Sequence, residues 1–221
     1  MIKSITLYGH ASGPNPWKVA VVLEELKIPY EHKLLEFSDR KKTLYEKFYV
    51  NGRVPAIEDP NTGITLWESG AIVEYLQETY DEKNALTYTS LPEKFLVKQW
   101  LHFQWPGGPY FGQRVWFMKF HPEKIESAQK RYIDHIKLVW AVIDKHLTAT
   151  GSQYLVGDKC TAADLAFLPW DIRIPFIFGD DHPKNMEKDY PAYLAWNKRL
   201  MQRPAVQKVE GDNKAAIAAG H

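Results

Sequence analysis

Cysteine is nearly absent from this chain: Cys160 stands alone among 221 residues. No intramolecular disulfide can form, and that usage fits a reducing compartment. A chain of this length buries roughly 70% of the surface it would expose unfolded, so it needs neither disulfide nor metal to fold. An excess of either charge is missing too. The 28 Lys and Arg stand against 27 Asp and Glu, a net +1, with both signs interspersed. No basic block reads as a footprint for nucleic acid or a membrane surface. No apolar run approaches the ~18 residues of a membrane span. Met1 to Ile5 lead straight into strand-like alternation with no signal peptide, so the expected location is the cytosol.

What is present is periodicity. Lys3 to Tyr8 alternates as a strand, and a loop with Gly9, Gly13, Pro14 and Asn15 follows. Val19, Val22, Leu23 and Leu26 then form one helical stripe, with Lys18, Glu24, Glu25 and Lys27 on the other side and Pro29 as the stop. Residues 30–37 read as a second strand and 41–48 as a short helix. Val54 to Glu58 and Ile64 to Trp67 flank a Pro60-Asn61-Thr62-Gly63 turn, a hairpin signal. A helix from Ser69 to about Tyr80 closes the series. Strand, crossover helix and strand imply parallel pairing, and the hairpin is antiparallel.

The expected organisation is an α/β domain over residues 1–81, a linker over 82–91, an all-α helical-bundle domain over 92–210 and a loosely ordered tail over 211–221. In the helical part Ile133, Ile136, Trp140, Ile143 and Leu147 step as a buried face should. Pro191 and Pro204 fall at helix starts.

Three segments carry chemistry. Asn51-Gly52-Arg53-Val54-Pro55-Ala56 places a proline at a strand entrance, where its missing N–H is tolerated. Trp67-Glu68-Ser69-Gly70 places Ser69 as an N-cap. The helix start behind it suits a carboxylate, and Glu68 beside it suits an ammonium. Thr161-Ala162-Ala163-Asp164 is a capping box, with Cys160 and Leu165 in the staple positions.

Together, "NGRVPAIED", "LWESGAIVEYL" and "LVGDKCTAADLAFLPW" resemble the glutathione transferases. The resemblance implies a thioredoxin-like N-terminal domain, an all-α C-terminal domain and a homodimer. It implies glutathione as a cosubstrate, with no permanently bound cofactor and no metal. It makes Glu68 and Ser69 the binders of the γ-glutamyl group. It gives Val54, before a cis Pro55, the backbone pairing with the cysteinyl part. Arg40, Lys41 or Lys42 is implied for the glycyl carboxylate. One departure is Val50, where the family often has a proline.

Free cysteine titrates near ~8.5, and lowering it by ~2 units requires only ~2.7 kcal/mol. A hydrogen-bond donor at a helix N-terminus supplies much of that. "SGPNPWKVAVVLEELKIPYE" resembles the fungal nitrogen-regulator-like class, in which an asparagine at this spot faces the glutathione sulfur. That points to Asn15, expected at the N-cap with Pro16 at N1. Ser12, near where serine-type transferases place their partner, is the alternative. Tyr8 is expected to pack within its strand and His10 to be a solvated loop residue. The absence of cysteine from this segment excludes a protein-cysteine mechanism.

Between two expected helices of the second domain lies a Gly/Pro-interrupted aromatic tract, Trp100 to Phe117. It reads either as core filling in a kinked helix or as the wall of a second-substrate pocket. The fungal class implies the latter, with Trp105, Tyr110 and Phe111 as wall and Gln113 and Arg114 at the rim. Three functions follow: conjugation of glutathione to hydrophobic electrophiles, a detoxifying activity; disulfide reduction using two glutathione molecules; or a non-catalytic, regulatory binding role. The intact Glu68-Ser69 pair weighs against lost glutathione binding.

Overall fold

The computed structural model describes residues 1–35 and 52–220, with Asp180 described through its backbone alone. The chain falls into two compact units: Met1–Thr87 together with Gln202–His221, and Tyr88–Met201. The expected helix over 41–48 lies outside the described residues.

In the first unit, alternation along β1 (Ile5–Gly9) buries Ile5 and Leu7 on one face of the sheet. The chain crosses over through α1 (Pro14–Glu25), so β2 (Tyr30–Leu34) pairs parallel to β1. β3 (Ala56–Asp59) runs antiparallel to β1, and β4 (Ile64–Trp67) antiparallel to β3. Among the described residues the sheet order is β2-β1-β3-β4. α2 (Ser69–Tyr80) follows. Ile5, Leu7 and Ile57 of the sheet are sealed with Val19, Val22 and Leu23 of α1 and Ile72, Val73 and Leu76 of α2. On the other face Tyr8, Leu35, Val54 and Trp67 gather on Ala56.

The hairpin turn is tied down by Asp59. Its Oδ1 accepts from the Asn61 backbone at 2.8 Å and from Asn61 Nδ2 at 2.9 Å. Its Oδ2 accepts from Tyr75 at 2.7 Å and from the Tyr80 hydroxyl. Burial alone would raise this carboxyl, yet the bonds from Tyr80, Tyr75 and Asn61 hold it below its usual range.

The second unit is helical: α3 (Leu91–Lys119), α4 (Glu126–Thr150), α5 (Ala162–Leu165), α6 (Leu168–Asp171), α7 (Ile174–Phe178), α8 (Met186–Asp189) and α9 (Pro191–Met201). The stepping residues Ile133, Ile136, Trp140, Ile143 and Leu147 are all buried on α4. The aromatic tract does not separate two helices. α3 runs through both Pro106 and Pro109. Gly108 leaves room for Trp170 of α6: a Cβ there would meet the indole nitrogen at 3.0 Å. The helix continues here although each proline removes a backbone bond. Among the described residues no helix is long and apolar enough to cross a membrane.

The last helix, α10 (Pro204–Ala218), belongs to the first unit. The expectation of a loose tail from residue 211 is therefore corrected. Arg203 grips Glu25 with two bonds, at 2.5 and 2.7 Å, and Asn213 Nδ2 donates to the Ala11 carbonyl at 2.7 Å. Paired guanidinium–carboxylate bonds are among the strong ones.

The capping box of the second unit is built as the sequence predicts. Asp164 is fully buried. Its Oδ2 accepts from the Thr161 backbone at 2.8 Å and the Thr161 hydroxyl at 3.0 Å. Its Oδ1 accepts from the Leu155 backbone at 2.9 Å and the Trp196 indole at 2.8 Å. Asp164→Ala strands these buried donors, each costing ~1–3 kcal/mol. We expect destabilisation of roughly 3–5 kcal/mol, checked by urea unfolding followed through tryptophan fluorescence; a loss below about 1 kcal/mol would show that the network is not a keystone of this unit.

Candidate functional site

The register of the first unit decides which loops meet. Tyr8 pairs with Ala56, and Ala56 with Trp67. At that end of the register Gly9 follows Tyr8, Pro55 precedes Ala56 and Glu68 follows Trp67. The chain leaving β1, the chain entering β3 and the chain joining β4 to α2 thus share one end of the sheet.

The first of these, His10 to Gly13, is a tight turn closed by the Gly13 backbone donating to the His10 carbonyl at 3.1 Å. Gly9 makes the approach possible, because a Cβ there would meet His32 Nε2 at 2.2 Å. The Ala11 carbonyl accepts from the Trp17 indole at 3.0 Å and from Asn213. Ser12 is exposed at the tip. His10 is not solvated as expected but only 4% exposed, and its Nδ1 faces the Ser12 hydroxyl at 2.8 Å. Nor is Asn15 the N-cap. α1 starts at Pro14 with Gly13 as its cap, which puts Asn15 second in the first turn and half-buried. Tyr8 donates to Glu58 at 2.8 Å, and burial, then Glu58, pushes its hydroxyl up to about 12. It is committed within the sheet.

In the second segment the Val54–Pro55 bond is cis. Pro55 is buried and Val54 half-buried, ahead of the first β1–β3 pair. In the third, Glu68 is the cap of α2 and Ser69 its first residue, one place off the expectation. Glu68 is exposed with φ 71°, a region that strains a residue other than glycine. Such a conformation costs about 1–3 kcal/mol and collects at binding sites. Arg40 and Lys41, with Lys42, lie outside the described residues.

One residue the sequence misplaced is Lys18. Its position outside the apolar stripe read as a solvated face, yet it is 2% exposed. Three residues after Asn15, it shares that side of α1. Its Nζ reaches Ser69 Oγ at 3.4 Å. Burial lowers this ammonium to about 7, against an opposing pull from Glu68.

In the second unit the aromatic tract divides. Trp105 is half-buried against His102, ring centroids 4.6 Å apart, and Tyr110 stacks on His135, also at 4.6 Å. Gln113 is exposed. Phe111 is buried against Trp170. Arg114 is no rim residue. It is 3% exposed and donates to Gln129 at 2.6 Å and Asp181 at 3.1 Å. Its charge serves the packing of α3 within its own unit.

Comparison with known proteins agrees with this architecture. Residues 3–78 match the glutathione S-transferase N-terminal domain and residues 112–210 the glutathione S-transferase C-terminal domain. The chain is 45% identical over 219 residues to glutathione S-transferase-like protein OpS6 of Beauveria bassiana, covering 98% of this chain and 99% of that one. The glutathione transferase URE2P6 from Phanerochaete chrysosporium, solved in complex with oxidized glutathione, superposes with a TM-score of 0.89 at 40% identity, covering 97% of this chain and 98% of that one. Ure2p5 of the same organism, cocrystallized with 1-(S-glutathionyl)-2,4-dinitrobenzene, gives a TM-score of 0.89 at 34% identity, covering 99% and 98%.

The buried ammonium sets a pH dependence. An unfolded lysine titrates near ~10.4, so between about pH 7 and 10 the unfolded chain binds more protons and stability rises with pH. Relative to Lys18→Met, the wild type should therefore gain up to about 1.4 kcal/mol for each pH unit above 7. Urea midpoints of both proteins at about pH 6, 7.5 and 9 check this; a stability gap constant across that range would show that Lys18 does not titrate there.

Proposed function

Because the chain belongs to the glutathione S-transferase family, in its fungal nitrogen-regulator-like class, we propose that it joins the thiolate of glutathione to hydrophobic electrophiles. The observation that carries this reading is the convergence of three segments at one end of the sheet: His10 to Asn15, Val54–Pro55 and Glu68–Ser69. Each matches one part of a γ-glutamyl tripeptide. Glu68 takes the ammonium of the γ-glutamyl group. Ser69 and the first N–H groups of α2 take its carboxylate, where the helix dipole is favourable. The backbone of Val54 pairs with the cysteinyl amide. Lys18, behind Ser69, fixes the hydroxyl that meets the carboxylate.

Asn15 then faces the sulfur. An amide N–H aimed at it stabilises the thiolate over the thiol, and no protein nucleophile is required. The sulfur lone pair attacks the electrophilic carbon, a C–S bond forms and the leaving group departs with its electron pair. Holding both reactants in place supplies the rest of the rate. On the electrophile side, of the five candidate residues Trp105 and Tyr110 are half-buried and Gln113 exposed, whereas Phe111 and Arg114 act by supporting α3. That Ure2p5 was crystallised with a dinitrobenzene conjugate of glutathione supports an aromatic electrophile for this chain as well.

Disulfide reduction is the second reading, favoured by the oxidized glutathione held by URE2P6. There the thiolate of one glutathione attacks a disulfide sulfur, and a second glutathione resolves the mixed disulfide.

Glu68→Ala should weaken glutathione binding roughly tenfold or more, as loss of a charged hydrogen-bond partner does. Isothermal titration reads this directly, and an unchanged Kd would remove Glu68 from the site. With chlorodinitrobenzene as electrophile, Asn15→Ala should lower kcat on the order of 100-fold while Kd for glutathione moves little. No conjugation by wild-type protein that binds glutathione would instead favour disulfide reduction, assayed with hydroxyethyl disulfide.

A further inference from the structure

The turn before α1 contains a pair of contacts that constrains the direction of a hydrogen bond. His10 Nδ1 lies 3.1 Å from the backbone nitrogen of Ser12 and 2.8 Å from its Oγ. A backbone N–H only donates. Nδ1 must therefore carry its lone pair, and the ring proton sits on Nε2. The Ser12 hydroxyl, facing the same lone pair, also donates to it. Both donors of Ser12 thus point inward at one buried ring. The turn leaves little freedom to change this: His10 is 4% exposed and Ala11 fully buried, and the Ala11 carbonyl is gripped from two sides, by Trp17 and Asn213.

We infer that His10 is a positioning residue that commits the hydroxyl proton of Ser12, so that Ser12 offers the glutathione sulfur only oxygen lone pairs and Asn15 supplies the donor. The inference rests on the glutathione reading above. It explains how two side chains suited to the same task sit in one loop without sharing it. A lone pair facing a thiolate is repulsive, so the committed hydroxyl also disfavours a sulfur position near Ser12 and favours one near Asn15.

The test is suppression. Asn15→Ala removes the donor. Adding His10→Leu releases the Ser12 hydroxyl to turn outward, and kcat should recover roughly tenfold with KM for glutathione little moved. Adding Ser12→Ala to that double variant should take the recovery away. His10→Asn, whose side-chain oxygen keeps an acceptor near the place of Nδ1, should give no recovery on Asn15→Ala. No recovery in a His10→Leu/Asn15→Ala protein that still binds glutathione by titration overturns the inference, as does recovery that survives Ser12→Ala. Asn15→Ala turning over like wild type overturns it too, because Asn15 is then not the donor. If the wild type binds no glutathione, the functional reading has failed. The inference is then judged separately by long-range proton–nitrogen NMR of the wild type, which also decides should His10→Leu not fold. A neutral His10 protonated on Nε2 supports it, and protonation on Nδ1 overturns it.

Discussion

One row of the sheet, Tyr8–Ala56–Trp67, sets the rest of the site. β3 is paired on both sides, and Ala56, fully buried, is the residue at which both pairings end. Side chains alternate with a period of two, so a slip of one residue would exchange the faces of Ile57 and Ala56, both fully buried, and misfit both. The core therefore fixes the register, and the register fixes which three loop segments meet. The meeting of those segments is thus a consequence of packing within the sheet.

The cost of the site is local and its compensation is not. Glu68 holds a positive φ, and Lys18 holds an ammonium out of water. Both are unfavourable by themselves. Asp59 ties the hairpin turn to α2, whose N-terminus carries Glu68 and Ser69. Arg203 and Asn213 tie α10 to α1 and to the Ala11 turn. Satisfied, partly buried networks of this kind help to hold a geometry that these residues would not adopt unaided.

What the sequence disclosed was whatever depends on near neighbours. The Thr161–Asp164 box and the hairpin around Gly63 are settled within a few residues. The helix start at Glu68 and Ser69 was legible for the same reason, though displaced by one position, because a strained cap leaves no mark in a pattern of residue types. The one-sided stripe expected on α1 instead gives way to burial all round from Pro16 to Leu23. Lys18 was missed because the hydroxyl its ammonium reaches, that of Ser69, lies 51 residues away. His10 was missed because its burial is set by a turn braced from the C-terminal helix. The proline-rich tract misled in the opposite direction. Pro106 and Pro109 are helix breakers by local rule, but Gly108 lets Trp170 close on the helix, and tertiary packing prevails.

The Ala11 carbonyl accepts from Asn213 across 202 residues of sequence. A ribosome therefore finishes every proposed ligand of glutathione long before it makes the amide that steadies the turn beside them. Any copy cut short of α10, by a premature stop or a protease, would keep the full set of site residues in sequence. It would lack the brace that keeps His10, Ser12 and Asn15 in their assigned directions.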